Sequence, residues 1–436
     1  MPRFLLGVHA AAVFAAAVYA VTPAAAGAGP EEAPVAAAES SAAAPAAESP
    51  SVAPDPGAPP AMFGANAART GRYASPPPAG AGRVLWRFRT ADRVESSPAV
   101  AGGIVYVGSG DDHLYAIDAE TGVERWRFRT ENDVSSSPAV AGGLVYVGCD
   151  DGRLYAVDAA TGVERWRLET EGDVNASPAV AGGLVFFGSD DGHVYAADAA
   201  TGVERWRFET EGEVRAGPAV ADGLVYVGDT EGHFWALDAS AGTQRWGLEA
   251  DGAILAAACV AEGIVYVGDS EGSLYARDAA TGAARGRFEA DDDIRSSPAV
   301  ANGFLYVGSN DDHLWAIDVK AGRVAWKFRS EDDIRSSPAV AGGLVFVGSE
   351  DDRLWAIDAE TGQARWSIRT GKDIHSSPAV ADGIVYVGSQ DGHVYAVAGG
   401  PPSGQPSLPP PTDDDEEGDD EEVGDEDEED EDEEDE

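Results

Sequence analysis

Short apolar runs separated by polar turns recur along most of the chain. In one stretch these runs cover residues 134–140, 144–148, 154–158 and 163–168, and each carries alternating or clustered apolar side chains. Glycine- and aspartate-containing segments stand between them, which is the pattern of β-strands joined by tight turns. The whole phrase returns every 40 residues without an insertion or deletion. The pattern therefore predicts eight copies of a four-stranded unit.

Four strands in about 40 residues are typical of one blade of a β-propeller. The repeat begins with a lone fourth strand at 83–90 and ends with a third strand at 394–397. Because the N-terminal strand can complete the last unit, we predict an all-β, eight-bladed propeller over 83–398. Each blade has four antiparallel strands, and the N-terminal strand closes the ring. An open solenoid is the alternative, but it would normally end in atypical polar capping units.

The segments outside the repeat predict export. Arg3, an apolar run at 4–21 and small residues at 24–26 form the pattern of a secretory signal peptide over 1–26. No cysteine lies near the cleavage site, so a lipoprotein is not expected, although a retained membrane anchor stays open as the alternative. No other segment has the length and apolarity to cross a membrane as a helix. We therefore expect a periplasmic or secreted protein.

Three further segments flank the predicted ring. Residues 27–60 are rich in alanine and proline, which predicts a disordered linker. Residues 61–82 form a lead-in segment that can pack on the propeller. Residues 399–436 combine a proline-rich spacer with an acidic tail, and we expect both to be disordered.

The chain is strongly acidic, with a formal net charge of −47. Asp and Glu make up 21 of the last 24 residues, and subtracting their charge leaves about −26 on the rest. Such a surface repels nucleic acid and anionic lipid headgroups and attracts cations and basic partners. The two cysteines, Cys149 and Cys259, fall at different repeat positions in units that lie apart, so we expect no disulfide between them.

The segment 155–162 reads Tyr-Ala-Val-Asp-Ala-Ala-Thr-Gly and is followed by Trp166. It resembles the tryptophan-docking repeat of pyrroloquinoline-quinone-like (PQQ-like) propellers, and residues 62–71 resemble the segment that precedes many of them. This family includes the quinoprotein dehydrogenases and the periplasmic scaffold of the outer-membrane β-barrel assembly machine. The resemblance covers about 336 residues and implies that one tryptophan per blade stacks on a glycine-containing turn of the neighbouring blade. These docking residues are Trp86, Trp126, Trp166, Trp206, Trp246, Trp326 and Trp366.

The dehydrogenases of this family build their active sites from long insertions, a disulfide of adjacent cysteines, and Glu, Asn and Asp ligands to calcium. This sequence has no insertion, no adjacent cysteine pair and no such cluster outside the repeat. It also lacks a Ser/His/Asp order, a phosphate-binding glycine loop and a nucleophile elbow. We therefore predict no catalytic residue and no cofactor, and keep PQQ with calcium as the alternative.

One position of the repeat, just before the first strand of each unit, varies sharply. It places Arg215, Arg295, Arg335 and His375 near the axis, where they can form a basic arc around the channel mouth. Such an arc suits a carboxylate or a phosphate. Glu95 occupies the same position in the first unit and completes the candidate set. In the alternative interpretation this is variable surface, whose arginines pair with Asp173, Glu213, Asp293, Asp333 and Asp373.

A second position is acidic in every unit, and in seven of the eight units a histidine or arginine stands beside it. The Asp-x-His pattern is typical of metal ligands, but one or two ligands per blade make a poor site. Aspartate in a tight hairpin accepts backbone N–H groups, so we predict no metal site. One unit is degenerate, because Gly286 replaces its tryptophan and 256–259 lack the usual proline. The acidic position comprises Asp111, Asp151, Asp191, Glu231, Glu271, Asp311, Asp351 and Asp391.

These observations favour a monomeric, non-enzymatic propeller that acts as a binding or scaffold module in the cell envelope. Its partner would be a protein or peptide, basic in character or offering an edge strand, and not nucleic acid. Two alternatives stay open. One is a PQQ-dependent oxidoreductase that holds the quinone in the axial channel on the Arg/His arc. The other is a calcium-binding surface protein whose acidic tail collects cations.

Overall fold

The computed structural model describes residues 61–76 and 80–400. The predicted signal peptide, linker and acidic tail lie outside these residues. All regular structure in the described part of the chain is β-strand, and within it no helix has the length and apolar character needed to cross a membrane.

The strands form eight antiparallel sheets arranged as the blades of a propeller. Blades 1 to 7 comprise β3–β6, β7–β10, β11–β14, β15–β18, β19–β22, β23–β26 and β27–β30, and blade 8 comprises β31–β33 with β2. The strands are β1 (Ala61–Met62), β2 (Ala81–Arg89), β3 (Ala99–Ala101), β4 (Ile104–Ser109), β5 (His113–Asp118), β6 (Glu124–Arg129), β7 (Ala139–Ala141), β8 (Leu144–Cys149), β9 (Arg153–Asp158), β10 (Glu164–Glu169), β11 (Ala179–Ala181), β12 (Leu184–Ser189), β13 (His193–Asp198), β14 (Glu204–Glu209), β15 (Ala219–Ala221), β16 (Leu224–Gly228), β17 (His233–Asp238), β18 (Gln244–Glu249), β19 (Cys259–Ala261), β20 (Ile264–Gly268), β21 (Ser273–Asp278), β22 (Ala284–Glu289), β23 (Ala299–Ala301), β24 (Phe304–Gly308), β25 (His313–Asp318), β26 (Arg323–Arg329), β27 (Ala339–Ala341), β28 (Leu344–Gly348), β29 (Arg353–Asp358), β30 (Ala364–Arg369), β31 (Ala379–Ala381), β32 (Ile384–Ser389) and β33 (His393–Gly400).

The predicted ring closure is confirmed. Strand β2 pairs antiparallel with β33, with Arg83 opposite Ala398 and Trp86 opposite Ala396. The N-terminal strand thereby supplies the outer strand of the blade whose other three strands come from the C-terminal end. Joining the two ends in one sheet removes the open lateral face that an unclosed array would leave.

The inner strand of each blade is shorter than its sequence pattern predicts. The pattern predicts a strand over 134–140, whereas β7 spans only Ala139–Ala141. Pro138 has no N–H to give to a ladder, so the preceding residues are held by other contacts. Val134 donates its backbone N–H to Ser109 O, and the Ser136 hydroxyl accepts the backbone N–H of Gly148. The segment before each proline therefore forms a loop that links neighbouring blades.

A ring of serine hydrogen bonds connects the blades around the axis. The backbone N–H of Ser97 donates to Ser137 Oγ of the next blade at 2.9 Å. The same contact recurs between further blades, and the N–H of Ser377 closes the circle on Ser97 Oγ at 2.8 Å. Two blades interrupt the ring, because they have Gly217 and Ala257 at this position.

The lead-in segment, residues 61–76, lines the axial channel and completes the inner strands. Its carbonyl groups accept backbone N–H groups from Val220, Val260, Val300 and Val340 of four successive blades, at 2.6 to 2.9 Å. Strand β1 pairs with β7 in the same way. The inner edges of these blades thus gain a hydrogen-bond partner, since an unpaired edge strand leaves its backbone groups open.

Arg69 is the central side chain of the lead-in segment. It is 1% exposed, and its guanidinium donates to Ser177 O at 2.6 Å and to Pro218 O at 2.8 Å. A Cβ added at Gly217 would lie 2.9 Å from its Nη2 atom, so the glycine that interrupts the serine ring makes room for it. Burial lowers the pKa of Arg69 to about 9, which still leaves the guanidinium charged at neutral pH.

Candidate functional site

The side chains that vary from blade to blade gather at one end of the axial channel. We define the mouth by three repeat positions, those of Arg93, Glu95 and Gly110 and their equivalents 40 residues apart. Backbone hydrogen bonds join these positions, since the N–H of Gly110 donates to Arg93 O and the N–H of Asp150 donates to Asp133 O. The mouth therefore combines the loop before each inner strand with the hairpin after each second strand.

Three of the predicted site residues meet in one network at the mouth. Arg335 contacts Glu350 at 2.9 Å and Asp333 at 3.2 Å. Nε2 of His375 lies 2.9 Å from the same carboxylate of Glu350, and its Nδ1 lies 3.9 Å from Glu95. The structure thus brings Arg335, His375 and Glu95 together, with Glu350 between the two basic side chains.

The other two predicted residues lie in separate ion pairs. Arg215 contacts Glu213 at 2.7 Å and Asp190 at 3.3 Å. Arg295 contacts Asp293 at 3.2 Å. Every basic side chain of the predicted arc therefore has a carboxylate within ion-pair distance, and no continuous basic surface forms among them.

The first blades make the mouth locally acidic. Asp133, Asp150, Asp173 and Asp190 face one another there, with Arg93 reaching Asp133 at 2.9 Å. Burial, followed by the charges of Asp173, Asp133 and Asp190, raises the pKa of Asp150 to about 6. A group in this state binds a proton or a cation more readily than an exposed aspartate does.

Carboxylates outnumber basic groups over the whole mouth. Its three repeat positions carry ten acidic side chains, four arginines and one histidine. The acidic residues are Glu95, Asp133, Asp150, Asp173, Asp190, Glu213, Asp293, Asp333, Glu350 and Asp373. The sequence analysis missed Asp150, Asp190 and Glu350, although their repeat position varies as strongly as that of the arginines.

Two groups of side chains have the spacing of metal ligands. Ligand atoms of Glu350, Asp373 and His375 lie within 4.8 Å of one another, as do those of Asp312, Asp332 and Asp333. Arg335 bridges the two groups, because it pairs with both Glu350 and Asp333. A cation at either place would compete with this guanidinium for a carboxylate.

The acidic hairpin position serves the backbone and the aromatic side chains. Asp111 Oδ2 accepts the N–H of Ala91 at 2.8 Å and the hydroxyl of Tyr115 at 2.7 Å. Nδ1 of His113 lies 2.6 Å from the carbonyl oxygen of Asp111. The equivalent contacts recur in other blades, where Asp151 and Asp391 hold Tyr155 and Tyr395. These aspartates therefore fix hairpins.

The seven tryptophans of the repeat lie on the outer strands and reach the following blade. Trp126, for example, donates its indole N–H to Ala159 O at 3.1 Å, and a Cβ added at Gly162 would lie 2.8 Å from its ring. A side chain larger than hydrogen has no space at this glycine. Both cysteines are free and buried in strands β8 and β19.

The family model described as outer membrane protein assembly factor BamB matches residues 78–177, 150–258, 250–336 and 320–400. No curated protein matches the chain by sequence.

Several solved structures share the fold. Quinohemoprotein alcohol dehydrogenase from Comamonas testosteroni has a TM-score of 0.68 at 19% identity, over 79% of this chain and 82% of that chain. BamB from Moraxella catarrhalis has a TM-score of 0.64 at 21% identity, over 73% and 99%. The computationally designed Ika8 protein has a TM-score of 0.65 at 20% identity, over 72% and 99%. At these identities the likeness shows the fold and leaves the activity open.

Proposed function

The chain belongs to the family described as outer membrane protein assembly factor BamB, and we propose that it is an exported, non-enzymatic scaffold that binds protein segments in the cell envelope. The propeller mouth is the binding surface in this proposal. Its partner presents basic residues there. The family description supports a protein as the partner. The excess of carboxylates at the mouth supports a partner segment that is positively charged.

The pairing of every basic side chain in the arc carries this proposal. Arg335 lies between Asp333 and Glu350, and Arg215 lies between Glu213 and Asp190. Carboxylates that remain in excess attract a cationic segment and raise its rate of association. Burial, and then repulsion from Asp173, Asp133 and Asp190, raises the pKa of Asp150, and a cationic segment would relieve that repulsion.

The first alternative, a PQQ-dependent oxidoreductase, finds weaker support at the mouth. PQQ carries three carboxylates, so a site for it needs cationic groups that are free to face it. Here the arginines face carboxylates of their own, and ten acidic side chains surround them. The residues present therefore fit this cofactor poorly, and we derive no catalytic step through it.

The second alternative, a calcium-binding protein, draws on the groups around Glu350 and Asp333. Carboxylate oxygens suit calcium, but the histidine of the first group suits it less. Arg335 also occupies a carboxylate of each group. The acidic tail, the other source of calcium ligands in this alternative, lies outside the described residues.

A titration of the purified mature protein with PQQ and calcium separates the scaffold from the oxidoreductase. We expect no saturable change in quinone absorbance at high micromolar concentration, and no alcohol- or sugar-dependent dye reduction. Tight binding with turnover would overturn the proposal.

Photo-crosslinking tests the positive part of the proposal. A photoreactive residue at Ser135, in the mouth, should give a defined protein adduct in intact envelopes, with the cross-link mapped to a basic segment. The same residue at Val203, 58% exposed on the outer strand side, is the matched control. Equal labelling from both positions, or adducts only to acidic segments, would contradict binding at the mouth.

A further inference from the structure

Blade 5 lacks the tryptophan that fills the space between neighbouring blades everywhere else. In five of the seven intact blades a tyrosine hydroxyl and the indole N–H converge on one carbonyl of the next blade, and in the other two Phe186 and Phe346 replace the tyrosine. In blade 1, for example, Tyr106 and Trp126 donate to Ala159 O at 3.0 and 3.1 Å. The indole ring then covers a turn glycine, here Gly162. The space between two neighbouring blades is therefore one that a tryptophan side chain fills.

The corresponding space next to blade 5 is open. Gly286 stands where the other blades have tryptophan, and a Cβ added at Gly322 would meet no atom within 4 Å. At the other turn glycines of this type, a tryptophan ring lies within 2.4 to 2.8 Å of the added Cβ. We call this space the slot, and define it by Tyr266, Ala276, Gly286, Val319 and Gly322.

Solvent reaches apolar groups in the slot that are covered in the other blades. Ala276 is partly exposed, whereas its seven equivalents, such as Ala116 and Ala316, are fully buried. Ile317, on the facing blade, is 8% exposed, whereas its apolar equivalents Ile117 and Ile357 are fully buried. The missing ring therefore leaves an uncovered apolar floor.

The slot also keeps a polar acceptor. The carbonyl oxygen of Val319 is equivalent to Ala159 O, and no donor of the described residues reaches it. A ligand that combines a flat aromatic ring with one N–H donor matches both the floor and this acceptor. Indole meets this description, because its N–H is its only hydrogen-bond donor.

The charged side chains at the entrance of the slot indicate which residues flank the aromatic ring of the ligand. Lys320 and Arg323 stand on either side of Gly322, both are exposed, and neither forms an ion pair within the described part of the chain. The equivalent turns carry no such pair of cations, since Glu120 and Val123, for example, occupy these positions in blade 1. Two unpaired cations at the entrance favour an acidic segment.

We propose that the slot receives a tryptophan side chain from an acidic segment of a partner polypeptide. The indole N–H donates to Val319 O, the ring covers Gly322 and Ala276, and the flanking acidic residues meet Lys320 and Arg323. This inference rests on the proposed protein-binding function, but it uses a surface separate from the mouth.

The chain itself does not offer the occupant. All ten of its tryptophans lie in 86–366, within the ring, and residues 401–436 contain no aromatic residue. Seven of these tryptophans dock between blades, and the others stand in third strands, so a second copy would have to unpack a blade to supply one. A different polypeptide is therefore the source.

The test uses the full-length protein and the peptide acetyl-Asp-(5-fluoro-Trp)-Asp-amide, followed by fluorine NMR. We expect saturable binding with a dissociation constant on the order of 1 mM, as suits so small a ligand. The Gly286→Trp variant should bind at least about tenfold more weakly, because its own indole fills the slot. Ala276→Leu places a larger side chain in the slot and serves as a second variant, for which we also expect weaker binding.

Two further variants distinguish binding in the slot from nonspecific binding of the peptide. Trp166→Gly opens an equivalent space against Gly202, whose turn has Ala200 and Val203 in place of the two cations, so it should add a second binding site with the affinity of a neutral tryptophan peptide. Lys320→Ala with Arg323→Ala should reduce the affinity for the acidic peptide to that for the neutral acetyl-Ala-(5-fluoro-Trp)-Ala-amide. Absence of saturation in the unmodified protein, unchanged binding by Gly286→Trp, or no second site in Trp166→Gly would each overturn the proposal. None of these changes touches the mouth, so failure here is distinguishable from failure of the cross-linking at Ser135.

Discussion

At the scale of single residues, the mouth shows how position in the fold changes an ordinary aspartate. Asp150 is one of several acidic side chains that the repeat would place at equal distances around the axis. Its burial and the proximity of Asp133, Asp173 and Asp190 raise its pKa to about 6. In the folded protein it therefore holds its proton to a higher pH than in the unfolded chain, whose value is that of an ordinary carboxyl.

This difference predicts a pH-dependent effect of Asp150→Asn. A raised pKa in the folded state stabilises the protein most below about pH 4, and the contribution falls as the pH rises through about 6. At pH 7.5 the buried charge is a cost that asparagine removes, so we expect the free energy of unfolding to rise by about 1 kcal/mol, a value reduced for partial solvent screening. Urea unfolding at pH 7.5 and pH 3.5 measures this, with no difference expected at the lower pH. A gain of equal size at both values would show that charge is not the cause.

The same scale shows what the sequence could reveal of the candidate site. Variation from unit to unit directs attention to Arg335 and His375, and their position just before the inner strand predicts a place near the axis. The ion pairs depend on which side chains of neighbouring blades lie close together at the mouth, and the repeat pattern does not give these distances. The partners Glu350 and Asp190 were therefore missed, although the variation at their own repeat position was available as a signal.

At the scale of strands and blades, the repeat determines most of the fold. Alternating apolar residues, turn glycines and the complementary ends correctly predict eight blades and the closure of β2 on β33. The pattern overestimates the inner strand, because apolar residues before Pro138 are used between blades and form no ladder within one. Periodicity reports burial, and burial between blades gives the same signal as burial within a sheet.

The open slot of blade 5 gives a prediction about stability that needs no ligand. A Cβ added at Gly286 would meet only Ala276 Cβ, at 3.9 Å, which is an ordinary contact. Gly286→Trp should therefore fill the slot as the other blades do and raise the free energy of unfolding by about 1–3 kcal/mol. The matched change Trp166→Gly should lower it by about 3–5 kcal/mol. Chemical unfolding of both variants measures this, and a destabilised Gly286→Trp would show that blade 5 has repacked around its glycine.

At the scale of the whole molecule, the ring is held by two devices that lie outside any single blade. One is the closing strand β2, and the other is the lead-in segment that accepts hydrogen bonds from the inner strands of several blades. The sequence indicated that this segment can pack on the ring, but gave no place for it. One sequence feature does mark the place of the segment. Gly217 replaces a serine of the repeat, and the structure shows that this glycine makes room for Arg69.

Arg69 joins blade 3 to blade 4 from inside the channel, so its removal should weaken the ring. In Arg69→Met the carbonyls of Ser177, Pro178 and Pro218 lose their donor in a place that water does not easily reach. Since a buried acceptor without a partner costs about 1–3 kcal/mol, we expect the free energy of unfolding to fall by about 3 kcal/mol. Arg72→Met, which changes an exposed neighbour, should have little effect.

Hydrogen exchange distinguishes loss of the lead-in segment from general destabilisation. The amides of Val220, Val260, Val300 and Val340 donate to this segment, so they should exchange faster in Arg69→Met. Amides in second and third strands, such as that of Val145, should keep their protection relative to global unfolding. If the four valine amides stay protected, the segment is held by its backbone pairing alone, and Arg69 would then serve only to fill the gap that Gly217 leaves. Faster exchange confined to these amides would instead show that one buried guanidinium fastens the lead-in segment to the blades it joins.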